Sequence, residues 1–433
     1  MGFTRRSLVK GAGAAGATLL LSGLATASDG QARYIARTNG NGVDVESAGF
    51  EVLNELTGGD VLLVKGPEDA VDELEAVRGI TAGVRDLALE IDPITEDEPI
   101  PDPDSPDEVY DELLWDKQVQ DVREAQAYAT GEETTVAVID SGVDENHPDL
   151  SNLDTDSSAA IVDGEIGPHQ GDPNGHGTHV AGTAAATGDV LMTGTAPAAR
   201  IVSVDVLGYG TGTFGDIMVG MEYAAAVGAD AANISLGFMM APQEFTEFAD
   251  NVGLYRQMFE PVANYGRREG TLYVGSAGND ETDLQGGWLR LWNGLSGVIG
   301  VSATGPNDKR AFYSNWGRND VDVGAPGGGY ETEEKTFDPE TEWPSPLNFV
   351  YSTYSTQAEE SPAPYAWLAG TSMAAPQVTG LAALVCELDG DASPQQVLQV
   401  IRQGAEAADN RGDPHLGAGR VNALNTIEHL NGT

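Results

Sequence analysis

Beyond residue 111 the chain alternates short apolar runs with amphipathic stretches. The runs fall at 135–139, 201–207, 232–236, 271–274, 298–301 and 321–323. Those at 135–139, 271–274 and 298–301 are apolar almost throughout, which predicts strands buried on both faces. Segments of helical period lie between them, 215–227 among them, and 378–388 reads as a further helix. Buried strands separated by helices predict an α/β fold with a mainly parallel sheet covered on both sides. In such sheets ligands gather beyond the carboxyl ends of strands, so polar residues that close an apolar run are the ones to weigh. No internal repeat is present.

The first quarter of the chain reads differently. Residues 34–36, 61–64 and 84–89 look like strands and 68–77 like a helix, which predicts a small α+β unit over 29–91. Residues 92–110 are rich in Pro, Asp and Glu, with Ile100-Pro101-Asp102-Pro103-Asp104-Ser105-Pro106 at their centre. Such a stretch predicts an exposed linker without regular structure, open to cutting. Residues 1–28 read as an export signal. Thr4-Arg5-Arg6-Ser7-Leu8-Val9-Lys10 resembles a twin-arginine motif, an apolar stretch follows over 11–24, and Ala25-Thr26-Ala27 is a small-x-small cleavage pattern. The other reading, a membrane anchor, asks a short, Gly/Ala-rich run to span a bilayer. The expected division is a signal at 1–28, an α+β unit at 29–91, a linker at 92–110 and a large domain at 111–430.

Charge adds a constraint on the surroundings. The formal net charge is -46, from 68 Asp+Glu against 22 Lys+Arg. A chain so negative is a poor partner for nucleic acid. The acids are spread along the sequence, which predicts a carboxylate-coated surface. Its self-repulsion is relieved at molar salt, where the Debye length is about 3 Å. An acidic protein with no salt requirement is the other reading. Cys386 is the only cysteine, so no intrachain disulfide forms and stability rests on core, ions and solvent.

Three segments carry candidate chemistry. In Val136-Ala137-Val138-Ile139-Asp140-Ser141-Gly142, Asp140 closes a buried run, where a carboxylate orients and stabilises a histidine cation or serves only as a turn residue. In Gly175-His176-Gly177-Thr178-His179-Val180, His176 stands at a helix entrance, placed to move protons. His176 and His179 as paired metal ligands would need a third ligand and leave the last segment unexplained. In Gly370-Thr371-Ser372-Met373-Ala374-Ala375-Pro376, Ser372 is at a helix amino terminus, as a cap or as a nucleophile where backbone N–H groups favour developing negative charge.

Together the segments resemble the subtilisin-like serine peptidases, or subtilases, over about 111–430, and within them the halolysin-type secreted enzymes of halophilic archaea. The order Asp, His, Ser is that of subtilisin. The resemblance implies the three-layer subtilisin-like fold preceded by an inhibitory propeptide. It also implies a secreted endopeptidase acting on proteins or peptides, without a catalytic cofactor or membrane anchor, as a monomer. It makes Asp140 the orienting carboxylate, His176 the general base and acid, Ser372 the nucleophile and His179 structural. Gly275-Ser276-Ala277-Gly278-Asn279 matches the family segment whose Asn donates to the oxyanion, so Asn279 takes that role.

The same resemblance assigns substrate contacts to Gly208 and Gly210 and to Ser235, Leu236 and Gly237, where an extended peptide adds as a strand. It makes 235–237, with Ser276, Ala277 and Gly278, the walls of the pocket for the side chain before the scissile bond. Their small uncharged side chains imply a pocket for large apolar or aromatic residues, although Phe238 stands where the family often has glycine. A structural calcium is implied at Asp149 and the loop 187–193 with Asp189, a loop one residue shorter than in subtilisins. Residues 238–270 and 327–346 are insertions relative to the compact family pattern, shaping the cleft or simply solvated.

Overall fold

The computed structural model describes residues 19–24, 26–27, 30–40, 42–91, 105–208, 211–236, 239–240, 253–286, 289–290, 292–358, 364–406 and 413–431. Residues 30–91 form the small unit. Its strands are β1 (Gln31–Thr38), β2 (Glu51–Leu56), β3 (Val61–Pro67), β4 (Ile80–Arg85) and β5 (Leu87–Ile91), with helix α1 (Val71–Glu75). The large body holds β6 (Thr135–Asp140), β7 (Ala159–Val162), β8 (Glu165–Pro168), α2 (His176–Ala185), β9 (Arg200–Asp205), β10 (Thr211–Thr213) and α3 (Phe214–Ala226). It continues through β11 (Ala231–Ile234), α4 (Gly253–Glu269), β12 (Leu272–Ser276), β13 (Val298–Thr304), β14 (Val323–Pro326), the hairpin β15 (Val350–Thr353) and β16 (Tyr365–Leu368), and α5 (Thr371–Leu388).

The main sheet runs β8-β7-β9-β6-β11-β12-β13-β14, and every pair is parallel except the β7–β8 hairpin. Successive residues of a strand enter opposite cores. Val136 and Val138 pack with α2 and α5, while Ala137 and Ile139 pack with α3 and α4. Period-two alternation with both faces apolar is what a continuous hydrophobic run encodes. This is the subtilisin-like three-layer fold expected from the sequence.

In the small unit β1 lies between β3 and β4, all antiparallel. Tyr34, Ala36, Leu62 and Val64 close its own core, while Ile35, Val61 and Leu63 join the core of α3 and α4. Its sheet is therefore apolar on both sides, and the second side is covered by the large body. The single strand expected over 84–89 is divided at Asp86. Before it, β4 pairs with β1; after it, β5 pairs antiparallel with β10 of the large body, Leu89 opposite Gly212. Leu19–Leu24, within the stretch read as a signal, pairs with the other edge of β5.

Two further expectations need correction. The linker read over 92–110 is shorter at its carboxyl end, because Pro106–Glu112 is a helix capped by Ser105, with Val109 and Tyr110 buried in the main core. Ser-Pro-Asp-Glu supplies an N-cap, a proline in the first turn and two acids there, a helix start that the Pro-rich context masked. Of the insertion read over 238–270, residues 253–269 form α4, whose Tyr255, Met258 and Phe259 pack on the sheet, so this part is core. The insertion at 327–346 begins at Gly327, whose carbonyl accepts the N–H of Gly370, two residues before Ser372.

Candidate active site

Asp140 is the last residue of β6, and His176 the first of α2. His176 Nδ1 lies 2.7 Å from Asp140 Oδ1, and both side chains are fully buried. The approach requires glycine. A Cβ on Gly177 would sit 2.0 Å from the Gly142 carbonyl oxygen, and one on Gly175, at φ 96°, would enter the Tyr354 ring. A carboxylate bonded to Nδ1 fixes the ring and the tautomer and stabilises its cation. His176 Nε2 is buried with no hydrogen-bond partner among the described residues.

Ser372 lies in the first turn of α5 and is almost wholly buried. Its Oγ donates to the Ser235 carbonyl at 2.8 Å, and Ser235 Oγ donates back to the Ser372 carbonyl at 2.8 Å. Asn233 Nδ2 holds Ser235 Oγ at 2.8 Å. Ser235 follows Ile234, the register partner of Ile139, and Asp140 follows Ile139. Neighbouring strands lie about 4.8 Å apart. The register therefore delivers the serine's anchor and the histidine's carboxylate to one end of two adjacent strands.

Asn279 Oδ1 accepts from Thr371 N and Thr371 Oγ1, each at 2.9 Å. A backbone N–H can only donate, so the orientation of the carboxamide is settled and its NH2 is the free end. Among the described residues that NH2 has no partner. Gly278, at φ 95°, has no room for a side chain against Asn315, and its N–H is held by Thr371 Oγ1 at 3.0 Å.

The remaining expected residues divide. Ser235, Leu236, Ser276 and Ala277 are buried around this end of the sheet. Gly208 is turned to a structural task, its N–H on Asp205 Oδ1 at 2.9 Å, and the strand that pairs with an extended segment is Thr211–Thr213. Gly210 and Gly237 lie outside the described residues. His179 Nε2 faces the carbonyls of Val350 and Ala366 at 3.2 and 3.3 Å, and burial pushes its pKa down to about 3. It ties α2 to the β15–β16 hairpin as a neutral ring.

The calcium expectation does not fit. Both oxygens of Asp149 are met by N–H donors: Val190 N at 2.6 Å on Oδ1, Leu191 N at 3.0 Å and Met192 N at 2.9 Å on Oδ2. Tyr365 Oη adds 2.8 Å to Oδ2. Donors stand where a cation would have to sit, so the short loop wraps the carboxylate directly. Asp189 is bonded to Ser151 Oγ instead, and the described residues contain no group of three or more His, Cys, Asp or Glu fit to hold a metal.

Sequence reasoning missed two buried carboxylates. Asp172 Oδ1 accepts from Gly175 N at 2.8 Å, Asn174 N at 3.1 Å and Ser141 Oγ at 3.0 Å. Its Oδ2 accepts from Thr178 N at 2.9 Å and Thr178 Oγ1 at 2.6 Å. It thereby gathers both sides of His176 and the residue after Asp140. Its signal was its position four residues ahead of His176, in a turn-rich segment opening a helix. Asp205, register partner of Asp140, accepts from Leu207 N at 3.0 Å and from Gly208 N. Burial pushes its pKa up to about 7, helped by Asp172 and Asp140.

A buried carboxylate–imidazole pair, a serine at a helix amino terminus and a fixed carboxamide, all at the carboxyl end of a parallel sheet, define a serine hydrolase. The chain belongs to the subtilase family, whose profile matches residues 131–419, and it is a subtilisin-like serine endopeptidase. It is 32% identical over 315 residues to thermitase from Thermoactinomyces vulgaris, covering 72% of this chain and 95% of that one. The crystal structure of the epidermin leader peptide processing serine protease from Staphylococcus aureus shares the fold, with a TM-score of 0.73 at 19% identity over 93% of this chain and 99% of that one. That of a lanthipeptide protease has a TM-score of 0.61 at 28% identity, covering 74% and 95%.

Two predictions follow from these carboxylates. In Asp149→Asn an NH2 replaces one oxygen against N–H donors, so the melting temperature should fall by the few degrees that a loss of about 2 kcal/mol entails. A chelator should shift parent and variant equally; an effect confined to the parent would reveal a cation at Asp149. Asp205 keeps its proton to higher pH when folded than the ordinary carboxylate pKa of about 3.9, so its ionisation weakens the fold. That penalty is absent below about pH 4 and grows as pH rises to about 7. With Ser372→Ala suppressing autolysis, Asp205→Asn should raise the urea midpoint above pH about 7 and leave it unchanged near pH 4. Parallel profiles would show that Asp205 does not titrate there.

Proposed function

We propose that the chain is a secreted protein-degrading endopeptidase, made as a precursor whose N-terminal unit blocks its own cleft, with a halolysin-type, salt-adapted surface. The observation that carries the reading is the pairing of β5 with β10. The N-terminal unit adds an extended segment to the edge where the family resemblance puts substrate, beside a formed Asp140–His176 pair. Export is supported by the twin-arginine-like segment, and salt adaptation by the charge of -46. Among the described residues no helix is long and apolar enough to cross a membrane.

In this reading Ser372 exchanges the Ser235 carbonyl for His176 Nε2, which takes its proton as Oγ attacks a peptide carbonyl. Asp140 stabilises the imidazolium, and the Asn279 NH2 with the Ser372 N–H holds the oxyanion. His176 then protonates the leaving amine, and water repeats the steps on the acyl-enzyme. Bonded at Nδ1 to Asp140 and without a hydrogen-bond partner at Nε2 among the described residues, His176 has that nitrogen available for the first step.

A second reading, a protease maturing one partner protein, is favoured by the printed names of two structural neighbours that process leader or lanthipeptides. Cleavage profiling separates them: broad cutting after large apolar residues supports degradation, and one dominant site supports maturation.

Ser372→Ala should accumulate as an uncut precursor; self-processing at the parent rate would remove Ser372 from the mechanism. Asn279→Ala should lower kcat roughly 100- to 1,000-fold with KM little changed, a magnitude measured on subtilisin itself. Dilution from molar salt should progressively inactivate the enzyme, and full lasting activity in dilute buffer would refute the salt adaptation.

A further inference from the structure

Beyond the strand pairing, the two units share one buried charge cluster. Arg33, on β1, is 3% exposed. Its Nη2 lies 3.1 Å from Asp86 Oδ2 in its own unit. The same nitrogen lies 3.0 Å from Asp216 Oδ1 and 3.0 Å from Thr213 Oγ1, both in the large body. Nη1 reaches Asp163 Oδ1 at 3.0 Å, on the rim of the cluster, where the carboxylate is largely exposed. Asp216 is held from the other side by Gly164 N at 2.8 Å and Thr213 Oγ1 at 2.8 Å.

Asp86 completes the joint. Its Oδ1 accepts from Gly215 N at 3.0 Å, at the amino terminus of α3, where an anion is favoured. Its own N–H is bonded to the Arg33 carbonyl at 2.9 Å, so Arg33 fixes Asp86 through the backbone as well as by charge. At Asp86 burial outweighs the guanidinium, and the pKa is pushed up to about 6. Without Arg33, the carboxylates of Asp86 and Asp216 would face each other in a dry joint. Thr213 ends β10 and Asp86 immediately precedes β5, so the cluster sits at the root of the strand pair that occupies the cleft edge.

We infer that Arg33 is the latch of the N-terminal unit: its insertion between Asp86 and Asp216 sets how long that unit holds the β10 edge, and does so equally in dilute and molar salt. This rests on the autoinhibition reading. Exposed pairs across the same joint would be screened at molar salt, but a guanidinium sealed between two buried carboxylates is not. Removing one partner of a buried, hydrogen-bonded charge pair acts mainly on dissociation, on the order of 100-fold.

The test uses the full-length chain and reads the lag before peptide-hydrolysing activity appears, at low and at molar salt. Arg33→Met should shorten the lag on the order of 100-fold at both salts, while the kcat of the released enzyme stays at the parent value. Asp216→Asn should shorten it as well, and the double variant should add little to either single change. Glu222→Gln, at a carboxylate that accepts the Thr57 N–H across the joint, should have a much smaller effect. If Arg33→Met does not accumulate, Arg33→Lys decides, since it keeps the charge but loses the forked contacts and should still release early. A parent-like lag in the Arg33 variant, additive single effects, or a shortening seen only in dilute salt overturns the latch. A parent that is fully active from the start, with its N-terminal unit attached, overturns autoinhibition instead.

Discussion

The bond between His176 Nδ1 and Asp140 Oδ1 lies where neither side chain meets water. Much of the surrounding structure exists to make that placement affordable. A bare carboxylate at that depth would shift its pKa and neutralise. Here Oδ1 also receives the Ser141 N–H at 2.8 Å, and Asp172 binds the Ser141 hydroxyl, the α2 amino terminus and Thr178. The β6 end and the α2 start are thus fastened to one common anion, and the imidazole between them has a single position. Glycines at 142, 175 and 177 supply the close backbone approach that makes the fastening possible.

The residues of the candidate site were legible because each is announced locally. Asp140 closes a continuous apolar run, and His176 and Ser372 each open a helix among small residues. Parallel pairing then carries Asp140 and Ser235 to one edge, where His176 and Ser372 meet them by hydrogen bonds. What stayed hidden depends on partners far away in the chain. That Ser372 Oγ rests on the Ser235 carbonyl is a contact across 137 residues. That both oxygens of Asp149 meet the N–H groups of 190–192 depends on how that loop closes, which acidic spacing alone does not show. The helix at Pro106–Glu112 was lost for the opposite reason, a local cap signature outweighed by the composition around it.

Acidity explains a further pattern. The chain carries 68 acidic residues and only 22 basic ones, so its buried carboxylates cannot all be matched by cations. Asp149, Asp172 and Asp205 are instead met by backbone N–H and hydroxyl donors, which bring no charge and are indifferent to salt, although burial outweighs them at Asp172 and Asp205 and pushes both pKa values up. Lys117, wholly buried, is held by the Thr183 carbonyl, Thr195 and Gln377 between α2 and α5, beside Asp116 at 3.7 Å. Arg33 is spent at the joint between units.

That distribution separates two kinds of electrostatics. The surface charge responds to the solvent, since screening at molar salt relieves its repulsion and dilution restores it. The interior contacts around His176, Asp149 and Arg33 are shielded from the solvent and keep their strength when the surface is screened. Contacts of the second kind, at the candidate site and at the joint between the units, persist at ionic strengths where exposed ion pairs contribute almost nothing. The fold can therefore be tuned to salt through its skin without disturbing the geometry on which proton transfer depends.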